Sequence, residues 1–161
     1  MGKEMKISEA GIDFIKNEEA AGGFAAVPYK DIAGFNTVGF GHRMQQGELY
    51  SQIDEAKATE LLEQDLLYAE NIVNRNVVPD LNQNQFDALV SFVYNVGHGA
   101  EGVKDGFVTL HCGRQSHMLT LLNFAHFNEA ADEFLKWDHA GGQESQGLYD
   151  RRMRERELFL S

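Results

Sequence analysis

The segment Phe86–Val96 carries an apolar side chain at almost every position: Phe86, Ala88, Leu89, Val90, Phe92, Val93 and Tyr94. A helix without a polar face cannot lie on a surface, so this one must be a core helix around which the rest of the chain packs. Asn82, followed three residues later by Gln85, has the spacing of a capping box and marks its start. A chain of 161 residues is long enough to build one domain around such a helix. The single cysteine, Cys112, excludes an internal disulfide and is expected to be an ordinary packed thiol.

The flanking segments are read by period and punctuation. Ser8 is a good N-cap for a first helix with Ile12, Phe14 and Ile15 on its apolar stripe, and Gly22-Gly23 ends it. From Tyr29 to His42 the pattern changes to alternation with glycines, which predicts a short hairpin or small sheet. Asp54 can cap a long helix running to about Arg75, with Leu62, Leu66, Ala69 and Val73 as its stripe. Gly97–Gly113 is glycine-rich and irregular. Shorter helices are expected around Met118–Leu122 and Ala130–Trp137, then a break at Gly141-Gly142 and a last helix over Leu148–Leu160. The fold class is α+β, mostly helical. It has a small β lobe over about residues 8–55, a connecting helix over about 55–75 and a helical lobe over about 76–161, together one domain spanning 1–161. A cleft between two lobes is a natural ligand site.

The formal net charge is −11. That argues against a nucleic-acid binder, which needs a basic patch or stripe. No apolar run is long enough to span a bilayer, and the polar N-terminus shows no signal peptide. The remaining histidines, His98, His111, His117, His126 and His139, form no set with metal-ligand spacing, so neither metal nor cofactor is expected.

Two carboxyl groups have contrasting settings. Glu19 falls in the last turn of the first helix, where the negative end of the helix dipole disfavours a second negative charge. A carboxyl that keeps its proton suits a general acid. Asp31 follows Tyr29-Lys30 in a polar turn and should stay ionised. The hydroxyl of Thr37 can help orient a water beside it. If Thr37 faces the cleft on a strand, Gly39 and Gly41 share that face and leave room for a ligand, while Val38, Phe40 and His42 point inward.

Three blocks carry a resemblance. The first runs from Phe14-Ile15-Lys16-Asn17-Glu18-Glu19 through Pro28-Tyr29-Lys30-Asp31 to Gly34-Phe35-Asn36-Thr37-Val38-Gly39-Phe40-Gly41-His42. The second is Leu81–Leu89 with Phe92-Val93-Tyr94-Asn95-Val96-Gly97. The third is Trp137, Gly141-Gly142 and Gly147–Glu155. In this order they resemble the phage-type lysozymes, the endolysins of glycoside hydrolase family 24, over most of the chain. The resemblance implies a lysozyme-like two-lobed fold. It also implies hydrolysis, with inversion, of the β-1,4 bond between N-acetylmuramic acid and N-acetylglucosamine in peptidoglycan, with Glu19 as acid and Asp31 with Thr37 positioning water.

Eleven residues, 20–30, separate Glu19 from Asp31, more than the family commonly has. A shift of one would make Glu18 the acid. Glu19 is preferred because Ile15 lies one turn before it on the core-facing stripe. The resemblance also points to a structural His42–Asp65 pair and to Arg151 as a partner of the catalytic glutamate. Tyr94 and Asn95 end the core helix near the expected cleft, where they can touch sugar, with core packing the alternative for Tyr94. Gly102–His117 is longer than usual and is expected to be a lid or a tolerated surface insertion. The partner is then the peptidoglycan glycan strand, met by a monomer that waits in the host cytoplasm for holin-dependent release. The rivals are a lytic transglycosylase, which uses one carboxylate, and a non-catalytic wall-binding protein.

Overall fold

The computed structural model describes residues 4–161. The chain forms α1 (Glu9–Ala20), β1 (Ala25–Lys30), β2 (Asn36–Gly39), β3 (His42–Arg43), α2 (Glu55–Asn76), α3 (Gln83–Val96), α4 (His117–Asn123) and α5 (Phe127–Glu133). A 3-10 turn (Phe134–Lys136), the small ribbon β4 (His139–Ala140) and β5 (Gln143–Glu144), and α6 (Gln146–Leu160) complete it. Two compact units result. One is Ile12–Leu67, and the other joins Tyr68–Ser161 to the N-terminal segment ending at Gly11. Among the described residues no helix is long and apolar enough to cross a membrane.

In the unit Ile12–Leu67, β1, β2 and β3 form an antiparallel sheet in that order, with Tyr29 opposite Thr37 and Thr37 opposite Arg43. Ile15, Val38, Phe40, Ile53, Ala58, Leu61, Leu62 and Leu66 are its buried apolar residues. The α1 N-terminus is capped by Ser8, whose Oγ accepts from the Gly11 amide at 3.0 Å. Asp54 caps α2 by accepting from the Lys57 amide at 2.8 Å.

The alternation expected along the hairpin does not hold. Thr37, Val38, Gly39 and Phe40 are all buried. Gly39 has φ +69°, which breaks the extended period, and a Cβ on it would sit 3.3 Å from the Ala58 Cβ. This glycine serves close packing on α2, whereas Gly41 is exposed, so the two glycines do not share one open face.

The other unit is built on α3. Both halves of the capping box are present, with Asn82 accepting from the Gln85 amide and the Gln85 side chain accepting from the Asn82 amide. Phe86–Val93 is buried without interruption. The Phe92 ring is the hub, with Phe134 at 5.2 Å, Trp137 at 5.5 Å and Phe107 at 6.2 Å, all edge-on. α6 starts earlier than expected, because Ser145 caps it by accepting from the Leu148 amide.

The Gly102–His117 stretch is anchored in the core. Phe107 is fully buried, and its carbonyl accepts from the buried Ser116 hydroxyl. Two chain segments cross here so closely that a Cβ on Gly99 would meet the Thr109 carbonyl at 1.9 Å, and only glycine fits. Cys112 is exposed at the tip of this loop and not packed, because the turn around Gly113 projects it outward.

Candidate active site

Glu19 stands in the last turn of α1, half-buried, as does Glu18. Beyond it the helix closes through bonds from the Ala21 amide to the Asn17 carbonyl and from the Gly22 amide to the Lys16 carbonyl. Ala21 takes a left-handed φ of +49° to do so. The Glu19 Oε2 lies 3.9 Å from where a Cβ on Gly41 would be, so the exposed β2–β3 turn runs beside this carboxyl.

Asp31 and Thr37 are brought together through the Phe35 backbone. The Phe35 amide donates to Asp31 Oδ1 at 2.9 Å. The Phe35 carbonyl accepts from the Asp31 amide at 2.9 Å and from the Thr37 hydroxyl at 2.9 Å. Thr37 is 3% exposed, and its proton is committed to that carbonyl, so its remaining capacity is as an acceptor. Asp31 Oδ2 faces the Arg43 Nε at 3.4 Å. The Phe35 amide bond, foremost, and the Arg43 charge hold the Asp31 carboxyl below its ordinary range against a smaller opposing effect of burial. Asp31 is therefore ionised at neutral pH, as its turn setting implied.

His42 is buried and meets Asp65 as expected, with Nδ1 at 2.8 Å from Oδ2. It also meets Glu48, with Nε2 at 3.1 Å from both carboxylate oxygens, and Tyr50 donates to Glu48 at 3.0 Å. Burial pulls the imidazole towards neutrality, but the two carboxylates outweigh it and raise His42 above its ordinary value. Asp65 is raised chiefly by its own burial. Glu48 is lowered, since the Gln45 amide, His42 and Tyr50 together overcome its desolvation. Glu48 and Tyr50 were not foreseen: they lie in an irregular segment without periodicity.

In the other unit, Tyr94 is half-buried near the end of α3 and Asn95 is exposed. The Asn95 side-chain carbonyl accepts from the Arg152 guanidinium. Arg152 also donates to the Trp137 carbonyl at 2.9 Å and to the fully buried Glu155 at 2.5 Å. Arg151 donates to Glu155 at 3.2 Å and to the Ser91 carbonyl at 3.2 Å. Glu155 lies four and three residues after these arginines, a spacing visible in the sequence whose meaning depends on the helix being buried. Asn95, Lys104, Lys136, Trp137 and Arg152 line one concavity.

The sequence model of the Phage lysozyme family matches residues 19–155. The endolysin of Salmonella phage P22 is 38% identical over 98% of this chain and 99% of its own length. A crystal structure of a P22 lysozyme mutant superposes with a TM-score of 0.79 at 35% identity, covering 98% of this chain and 99% of that one. The endolysin of Bacillus phage B103 is 40% identical over 98% of this chain, and the chain spans 55% of that relative's length. The muramidase domain of SpmX from Asticaccaulis excentricus gives a TM-score of 0.74 at 32% identity, with 97% and 98% covered.

Proposed function

Because this chain belongs to the phage lysozyme family, we propose that it hydrolyses the β-1,4 bond between N-acetylmuramic acid and N-acetylglucosamine in peptidoglycan, as an endolysin. The observation that carries the mechanism is the Asp31–Phe35–Thr37 arrangement in the same compact unit as the helix-end Glu19. Glu19 protonates the glycosidic oxygen as the bond to the anomeric carbon breaks. A water then donates one proton towards Asp31 and accepts orientation by donating its other to the Thr37 oxygen, leaving a lone pair for the anomeric carbon. The product gains the elements of water with inverted configuration. Tyr94 and Asn95 act as sugar contacts, and the Arg152 bond fixes the Asn95 amide for that role.

Glu19, rather than Glu18, is the acid in this reading, supported by the nearness of its carboxyl to the exposed Gly41 turn. Turbidity clearance of wall suspensions tests it. Glu19→Gln should lose about 10²-fold or more in rate, while Glu18→Gln stays within a few-fold of the parent. Normal clearance by Glu19→Gln sinks the assignment. A lytic transglycosylase would leave Asp31 without a part in the chemistry. Released muropeptides should therefore carry the added water by mass, and anhydro-sugars would favour that rival.

The chain works as a monomer held in the host cytoplasm until a holin opens the inner membrane. Expression in a host should then be harmless until the membrane is permeabilised. Prompt lysis without permeabilisation would count against this route.

A further inference from the structure

Arg43 lies on β3 directly opposite Thr37, in a position that sequence reading passed over. Its Nε is 3.4 Å from Asp31 Oδ2, and its guanidinium is 4.2 Å from the centre of the Phe35 ring. Phe35 thus reaches Asp31 twice: its amide holds Oδ1 at 2.9 Å, and its ring seats the arginine that faces Oδ2. We propose that Arg43 is a positioning residue for the reaction, fixing the rotation of the Asp31 carboxylate so that one lone pair stays aimed at the hydrolytic water.

The proposal rests on the reading of Asp31 as the water-activating group. The argument is one of order. A side chain that is 57% exposed, as Arg43 is, forms weak ion pairs that exchange with solvent. Stacking on an aromatic ring removes much of that freedom, and a planar guanidinium can stack and point an N–H in the ring plane at once. A carboxylate pinned at Oδ1 alone would still swing its other oxygen. Held at Oδ1 by a hydrogen bond and drawn at Oδ2 by the arginine's charge, it turns less freely, which is where orientation contributes to rate. The Phe35 amide bond, foremost, then the Arg43 charge and the nearby Ala33 and Gly34 amides favour the ionised Asp31 carboxylate.

The test uses the full chain with Arg43→Ala, Arg43→Lys, Phe35→Leu and Asp31→Asn. Rates on soluble peptidoglycan fragments are resolved into kcat and KM across pH, and the Asp31 carboxyl is titrated by carbon-13 NMR. Arg43→Ala should lower kcat roughly ten-fold with KM little changed. The acidic limb of its rate profile and the Asp31 titration should both move to higher pH. Arg43→Lys restores a charge without the stacked fork, so it should recover the titration but not the full kcat. Phe35→Leu should lower kcat several-fold in a protein with unchanged circular dichroism. An unchanged kcat in Arg43→Ala overturns the proposal, as does a uniform loss at every pH with the Asp31 titration unmoved. Normal turnover by Asp31→Asn overturns the underlying reading instead. The two failures are distinguishable, because the Asp31 titration in Arg43→Ala reports the contact whatever the turnover.

Discussion

His42 stands between two carboxylates, and that placement gives its titration a definite sign. Its value is raised in the fold, so its contribution to stability is full below the ordinary histidine range and lost as pH rises through the raised value. Asp65, also raised, acts in the same direction. Glu48 is lowered, so its contribution is present above the carboxylate range and lost in acid. The cluster is strongest between the protonation of Glu48 and the deprotonation of His42. His42→Gln should lower the melting temperature most at about pH 5–6, where the parent imidazole is charged, and least near about pH 9. A gap that stays constant over that range would show that only shape is lost. The His42–Asp65 pair was legible because the family pattern carries both residues, one in the hairpin and one on the long helix. Glu48, Tyr50 and Arg43 were not. Arg43 sits on a two-residue strand, too short for any period, and its meaning comes from the strand opposite.

At the scale of elements, the caps were the most readable feature, because Ser8, Asp54 and Asn82 with Gln85 act within one helical turn of themselves. The hairpin was less so, since the positive φ at Gly39 is set by the approach of α2. The N-terminus of α1 shows what local reading misses. Asp87 on α3 is 1% exposed; it accepts from the Ser8 amide at 3.0 Å, from the Ser8 hydroxyl and from Gln83 at 2.8 Å. A Cβ on Gly11 would lie 2.6 Å from the Asp87 carboxyl carbon. Gly11→Ala should therefore destabilise by about 1–3 kcal/mol despite its better helix propensity, measurable by urea denaturation. A stabilised variant would mean that Asp87 yields freely. Phe107→Ala should cost about 3–5 kcal/mol, because the ring is fully buried beside Phe92. A surface insertion would lose almost nothing. One buried apolar residue, Phe107, in a glycine-rich stretch gives no period, so the sequence could not show that this loop is pinned.

For the whole molecule, the acidic surplus is the property to explain. A net charge of −11 repels an anionic wall, while Arg43, Lys104, Lys136 and Arg152 put positive charge at sites proposed to meet substrate. Added salt should raise activity up to roughly 0.1 M, where the screening length is about 10 Å, and lower it beyond. A monotonic fall from the lowest salt would show that local attraction dominates throughout. The helical core was evident from the largely apolar α3 segment, and the α+β class from the glycine-punctuated hairpin pattern beside the helical periods. The membership of the first residues was not. Segment 5–8 is bonded to Asn74, Glu70 and Asp87 across 63 to 79 residues of chain. That tie has a consequence for synthesis. The unit Ile12–Leu67 is contiguous and can close as soon as it leaves the ribosome. The helical unit cannot, because its first strap emerges long before the helices that receive it. During translation segment 5–8 awaits its partners, and Asp87, the last of them to be made, stays uncovered until that segment docks.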